Sequence, residues 1–258
     1  MPFPSASAIL ITGASSGLGA ALARTYAAPG VTLFLGGRDP ARLEAVAESC
    51  RAVGARVEAR CCDVTAAAEL AAWIVQCDSL APLDLVIANA GLSAGTGGGG
   101  ESDPQTRAIF AVNLDGVLNT VLPAVELMRP RRTGQIAIMS SLAGFRGLGS
   151  APAYCASKAA VRVWAEGLRG ALAGEGLTVS VICPGFVATP MTDVNHFPMP
   201  WLWSAERAAA YIHRELRRGR GRIAFPAPLA VLAWLAAALP DRLSDCLSRF
   251  LPAKARAE

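Results

Sequence analysis

Tyr154 and Lys158 stand four residues apart in a segment of helical period, so both project from one face of the same helix. Pro152, just ahead of them, suits the first turn of that helix. A free phenol, with a pKa of about 10, is a poor proton donor and acceptor near neutrality. A buried ammonium beside it favours the phenolate and lowers that value, which makes a tyrosine usable as a general acid/base. The chain holds only 2 lysines against 22 arginines, so a lysine at 158 is a selective choice. It places a compact point charge where arginine would place a planar fork. Alone, a Tyr-x-x-x-Lys pair is equally an ordinary surface pair, and its meaning depends on what surrounds it.

A second set of residues could hold phosphate. The run Thr12-Gly13-Ala14-Ser15-Ser16-Gly17-Leu18-Gly19 follows a short apolar stretch and opens a helical one. Gly13 permits a tight turn, Gly17 lets the backbone approach a pyrophosphate, and Gly19 lets helix and strand pack closely. The helix start adds free N–H groups and the positive end of a dipole. Glycines that merely make a turn are the competing explanation. At the end of the next apolar run, Gly37 is neutral and Arg38 can meet a ribose 2′-phosphate, which favours NADP(H). Asp39 follows at once and keeps NAD(H) open as the alternative.

These groups need a scaffold. Apolar runs at 8–11, 31–35, 57–61, 85–88, 136–139 and 179–183 read as buried strands. Segments 18–28, 41–53, 66–77, 106–128 and 154–173 read as helices. Strict alternation predicts an α/β fold: a doubly wound, Rossmann-type parallel sheet with helices on both faces. Its ligand crevice lies at the carboxyl ends of the strands. The expected organisation is one oxidoreductase domain over 1–225 with a helical extension over 226–258. Gly95–Gly100 reads as a flexible surface loop.

Taken in order, these pieces resemble the short-chain dehydrogenase/reductase family, the single-domain kind. The matching motifs are Thr12–Gly19, Asp63-Val64, Asn89-Ala90-Gly91, Val112-Asn113-Leu114, Ser140-Ser141, Tyr154-x-x-x-Lys158 and Pro184-Gly185. The resemblance implies an NAD(P)(H)-dependent oxidoreductase acting between a secondary alcohol and a ketone. It implies that Tyr154 is the general acid/base. Lys158 would hold the nicotinamide ribose and lower the Tyr154 pKa, and Ser141, rather than Ser140, would polarise the carbonyl. Asn113 would hold a water in a proton relay, with a locally satisfied helix residue as the other explanation. Asp63 and Val64 would border the adenine, while Asn89, Ala90 and Gly91 would line the adenosine side. Asn89 has an equally good purely structural explanation. Pro184, Gly185 and Val187 would border the nicotinamide, and Thr189 would bond its carboxamide. One departure is Ala88, where the family often has a further asparagine.

By the same resemblance, 190–203 is the lid over the substrate. Its Met191, Phe197, Met199, Trp201 and Trp203 point to an apolar substrate, or else pack on the core or a partner. His196 reads as a lid hydrogen-bonder. Homodimers or homotetramers are the family habit.

Composition narrows the remaining choices. Of 258 residues, 53% are hydrophobic and 17% charged, which excludes disorder. No apolar run reaches the roughly 18–20 residues of a membrane span. The first residues carry no basic stretch and read as a buried strand, which with seven cysteines lacking any Cys-x-x-Cys spacing points to a cytoplasmic, reduced protein without a metal site. The +4 net charge is concentrated: residues 205–258 carry 10 Lys+Arg and 5 Asp+Glu, with five arginines between Arg214 and Arg222. No stacking aromatics interleave with them, so nucleic acid does not fit. After 226 comes an uncharged stretch to Leu239, then an amphipathic one bearing Leu243, Cys246, Leu247, Phe250 and Leu251. Three roles compete for this tail: packing on the domain or a partner copy, peripheral contact with a membrane surface, or cover for the substrate mouth. A non-catalytic dinucleotide sensor and a membrane-surface reductase of lipid intermediates remain as alternatives to a soluble ketone reductase.

Overall fold

The architecture is taken from a computed structural model that describes residues 6–93, 101–195, 197–240 and 242–243. Seven parallel strands form the main sheet in the order β3-β2-β1-β4-β5-β6-β9. They are β1 (Ala8–Thr12), β2 (Thr32–Gly37), β3 (Arg56–Cys61), β4 (Leu85–Ala88), β5 (Gly134–Met139), β6 (Leu177–Pro184) and β9 (Arg222–Phe225). Central strands such as β1 and β5 are buried at every residue, as a sheet covered on both faces requires. At the edge, β3 alternates Arg56, Glu58 and Arg60 with smaller residues, and this charge blunts an otherwise open strand. The doubly wound expectation therefore holds, with one strand more than the apolar runs reveal. A further two-residue pair, β7 (Val187–Ala188) with β8 (Trp203–Ser204), ties the two ends of the 190–203 segment together.

One core cluster lies under α1 (Gly17–Tyr26), α2 (Pro40–Arg51) and α8 (Ala205–Arg217). The other lies under α3 (Ala67–Leu80), α5 (Gly116–Met128) and α6 (Pro152–Leu172). The expected long helix at 106–128 is α4 (Asp103–Phe110) continuing into α5 through a π turn at Ala111–Asp115. There Gly116 N–H reaches back to the Ala111 carbonyl. The whole of Asp103–Arg131 is long and apolar enough to cross a membrane by length and composition. This corrects the expectation from sequence, which counted only uninterrupted runs. In this fold Val117, Val121, Ala124, Val125 and Met128 bury one side of it in the domain core.

The lid segment holds a single turn, α7 (Pro190–Asp193). Trp203 packs inward, stacked 5.0 Å from Phe225 and edge-on 5.4 Å from Tyr211. Of the two explanations for that tryptophan, core packing is the one observed. Beyond β9, α9 (Ala227–Ala237) begins the tail. The Gly95–Gly100 run, His196 and, apart from Leu243, the amphipathic stretch lie outside the described residues.

Candidate active site

The strand order reverses between β1 and β4, and a cleft of about 370 Å³ opens beyond their carboxyl ends. The glycine turn forms its floor. Gly13 has φ +67° and Gly17 φ +53°, values that side chains resist. A Cβ on Gly13 would lie 2.7 Å from the Ala90 Cα, and one on Gly19 would lie 2.1 Å from the Gly13 carbonyl oxygen. At the N-cap of α1, Ser16 makes no side-chain capping bond, which leaves the first N–H groups of the helix uncovered by any side-chain cap. A cradle that any Cβ would fill, ending on an uncapped helix start, fits a pyrophosphate. Gly19→Ala is expected to lower dinucleotide affinity at least ~10-fold and to destabilise the fold by roughly 2 kcal/mol or more, read by cofactor titration and thermal melting.

Asn89 braces this turn. Its Nδ2 donates to the carbonyls of Thr12 and Gly13, both at 3.1 Å, and its N–H donates to Thr12 Oγ1 at 3.1 Å. The structural explanation for Asn89 thus has direct support, although the residue also lines the cleft with Ala90 and Gly91. At the end of the cleft beside β2 the lining includes Ser15, Gly37, Arg38, Arg42, Asp63 and Val64. Thr65 donates both its N–H (2.9 Å) and its hydroxyl (2.8 Å) to Asp63 Oδ1. That N–H bond first, with help from the nearby Arg38, holds the Asp63 carboxyl below the usual range. Asp39 is engaged elsewhere. It caps α2 by accepting from Arg42 N–H at 3.0 Å, and it pairs with Arg42 Nε at 3.2 Å.

The other end of the cleft holds Ser141, Tyr154 and Lys158, with Pro184, Gly185, Val187 and Thr189 on its rim. Ser140 and Ser141 terminate β5, and the two serines divide their work. Ser140 is buried and donates to the Lys158 carbonyl at 2.7 Å, pinning α6 to the sheet. Ser141 accepts from Ala143 N–H at 3.1 Å and donates a long 3.4 Å bond to the Pro184 carbonyl. It also hydrogen-bonds the Tyr154 phenol. Its hydroxyl is thus the one poised to turn towards a ligand oxygen.

Lys158 is 3% exposed, and its Nζ donates to the Met139 carbonyl at 3.0 Å. Burial depresses the ammonium to a pKa of about 8. The nitrogen lies 5.9 Å from the centroid of the Tyr154 ring. Burial raises the Tyr154 phenol above its ordinary value, and the Ser141 hydrogen bond pulls it back only in part. Desolvation is the first cause of that rise, and the Lys158 ammonium is itself depressed by burial.

Asn113 is fully buried inside the π turn, a distortion common at functional sites. Its Oδ1 accepts from Leu92 N–H at 2.7 Å, and its Nδ2 donates to the Leu92 carbonyl (2.9 Å) and to Ser157 Oγ (3.0 Å). Both amide hydrogens are spent on protein groups. Asn113 therefore clamps the loop after β4 to α6. A Cβ on Gly91 would come 3.2 Å from Asn113 Oδ1 and 3.4 Å from Lys158 Nζ, so Gly91 keeps open the space between them.

Some contributors were not singled out from sequence. Arg42 lines the cleft, beside Met191 of the expected lid. Glu101 Oε2 accepts from Ala153 N–H at 2.6 Å and so caps, from afar, α6, whose own N-cap, Ala151, has no side-chain capping bond. The four-residue step from Arg38 to Arg42 is a signal for the first of these. Nothing local marks Glu101, which is 52 residues from its partner.

The model of the short chain dehydrogenase family matches residues 7–197, and the chain belongs to that family. An uncharacterized oxidoreductase of Myxococcus xanthus is 40% identical over 94% of this chain and 96% of its own. The ketoacyl reductase HetN of Nostoc sp. is 33% identical over 75% of this chain and 68% of its own. Among solved structures, the short-chain dehydrogenase from Sphingobium yanoikuyae in complex with NADPH superimposes with a TM-score of 0.79, 26% identity and coverage of 97% of this chain and 98% of that one. Membership establishes an NAD(P)-dependent oxidoreductase.

Proposed function

We propose that the protein reduces a ketone, or oxidises the matching secondary alcohol, with NADP(H) preferred over NAD(H) and an apolar chain on the substrate. The convergence of the Ser141 hydroxyl, the Tyr154 phenol and the Lys158 ammonium at one end of a dinucleotide-shaped cleft carries this reading. When bound, the dinucleotide supplies the hydride in reduction or accepts it in oxidation. Tyr154 gives its proton to the carbonyl oxygen, and Ser141 donates a hydrogen bond to the same oxygen as negative charge builds on it. Lys158, with two hydrogens left after the Met139 bond, holds the nicotinamide ribose hydroxyls and keeps positive charge near the phenol. Gly13, Gly17 and Gly19 with the start of α1 would hold the pyrophosphate, and Thr189 would bond the carboxamide.

Arg38 and Arg42 beside Ser15 favour a 2′-phosphate, and Asp39 is held by α2 and Arg42. Arg38→Ala is expected to raise KM for NADPH ~10- to 100-fold, in line with about 1.5–3 kcal/mol for a charged hydrogen bond, and to leave KM for NADH within ~3-fold. Equal effects on both cofactors would oppose the assignment. The relatives named ketoacyl reductases, together with Met191 at the cleft, support a ketone carried on an acyl or other apolar chain. NADPH consumption across a panel of ketones graded in chain length tests the class. Tight NADPH binding without turnover on any of them would favour a dinucleotide sensor.

A further inference from the structure

The rim of the cleft is more apolar than hydride chemistry requires. Among the described residues fourteen large hydrophobic side chains are exposed, and nine of them fall within 191–202 and 231–243. Both segments leave the carboxyl end of the sheet, the first after β6 and β7 and the second after β9. They border the same opening. Met191 lines the cleft, and a Cβ on Gly185, which also lines it, would lie 2.6 Å from Leu229 at the start of α9.

Residues 223–240 carry no charged side chain. Within α9, Leu229, Ala230 and Ala233 pack on the core, while Val231, Leu232, Trp234 and Leu235 face outward, each about half exposed or more. A helix apolar on every side is ordinarily covered on every side. Three features favour lipid as the cover. Trp234 on α9 and Trp201 in the 191–202 segment are 60% and 48% exposed, and indoles settle at the bilayer–water boundary. Trp201 is held out at φ +54°, a backbone conformation rare for a bulky residue. Just beyond the carboxyl end of α9, Arg242 is exposed, which sets a cation beside this apolar face. The Arg214–Arg222 cluster does not contribute to this face. It lies ahead of β9 at the other end of the sheet, where Glu215 pairs with Arg214, Arg218 and Arg220, and Glu166 pairs with Arg222.

We propose that α9 and the 191–202 rim seat the mouth of the cleft on an anionic lipid bilayer, from which an apolar substrate enters. The seating itself does not depend on the proposed reaction, and it is read without turnover. The full chain is sedimented with vesicles of phosphatidylcholine and with vesicles that also contain phosphatidylglycerol. The wild type is expected to sediment with the anionic vesicles and less with the neutral ones. A Leu232→Asp/Trp234→Asp double variant, changed only at exposed positions, is expected to lose this at least tenfold while keeping its melting temperature and its cofactor binding. Wild-type protein left in the supernatant with both vesicles overturns the proposal, as does a double variant that sediments like wild type. A wild-type dimer that the double variant dissolves, without vesicle binding, assigns the face to a second copy and overturns it too.

Discussion

Replacing Tyr154 with Phe is expected to lower kcat by roughly 10³-fold while NADPH binding stays within about threefold, because general acid/base transfer contributes about 10²–10⁴ and the ring itself is retained. In the proposed mechanism the phenol gives its proton to the carbonyl oxygen that Ser141 polarises. Its removal leaves Ser141 with its bonds to Ala143 and Pro184. Steady-state kinetics and a cofactor titration measure the two effects separately. Activity within tenfold of wild type would show that the proton comes from elsewhere. A parallel collapse of NADPH affinity would show that the ring positions the cofactor instead.

Lys158→Met is expected to abolish turnover and yet stabilise the cofactor-free protein. The ammonium is depressed from 10.5 to about 8, so the folded state holds its charge at a cost. That shift corresponds to about 3 kcal/mol below pH 8. Loss of the bond to the Met139 carbonyl returns about 1 kcal/mol of it. The net gain of roughly 2 kcal/mol corresponds to a melting temperature about 4–8 °C higher. The sign with pH follows from proton counts. Between the folded and unfolded pKa values the unfolded wild type binds more protons, so wild-type stability rises with pH through that window. The advantage of Lys158→Met is therefore full below the folded pKa and fades as pH climbs towards the unfolded one. Melting curves of both proteins across this range check it. A variant less stable than wild type at neutral pH would mean that the buried lysine is not paid for by the fold in this way.

The contrast between the two residues explains what was legible in the chain. The four-residue step from Tyr154 to Lys158 and the glycines at 13, 17 and 19 are local patterns, and the backbone realises them as read. Strand and helix order was legible because apolar runs alternate with helical period. Boundaries moved by a few residues, as helix ends do. The electrostatics were not legible. That Lys158 is desolvated and bonded to Met139 depends on how β5 and α6 pack, a long-range fact. The π turn at Asn113 leaves no trace in apolar periodicity, because one extra residue shifts the pattern without breaking it. The two-residue strands β7 and β8 are too brief to stand out as runs, and β9 opens on Arg222 at the end of a basic stretch. Trp203 looked like a lid residue from its neighbours in sequence, whereas the β7–β8 pairing turns it towards Phe225. Asp39-Pro40 is a helix-start signature, and in the fold that capping role is what draws Asp39 away from Arg38.

The central claim is a hydride delivered to a carbonyl carbon with a proton from Tyr154. The most direct measurement is reduction of an apolar ketone by the full chain with NADPH deuterated at the transferable position of the nicotinamide. The account predicts one deuterium on the carbinol carbon of the alcohol with wild-type protein, and no labelled alcohol above background with Tyr154→Phe. Saturable NADPH binding with no labelled alcohol from any ketone in the panel would contradict it.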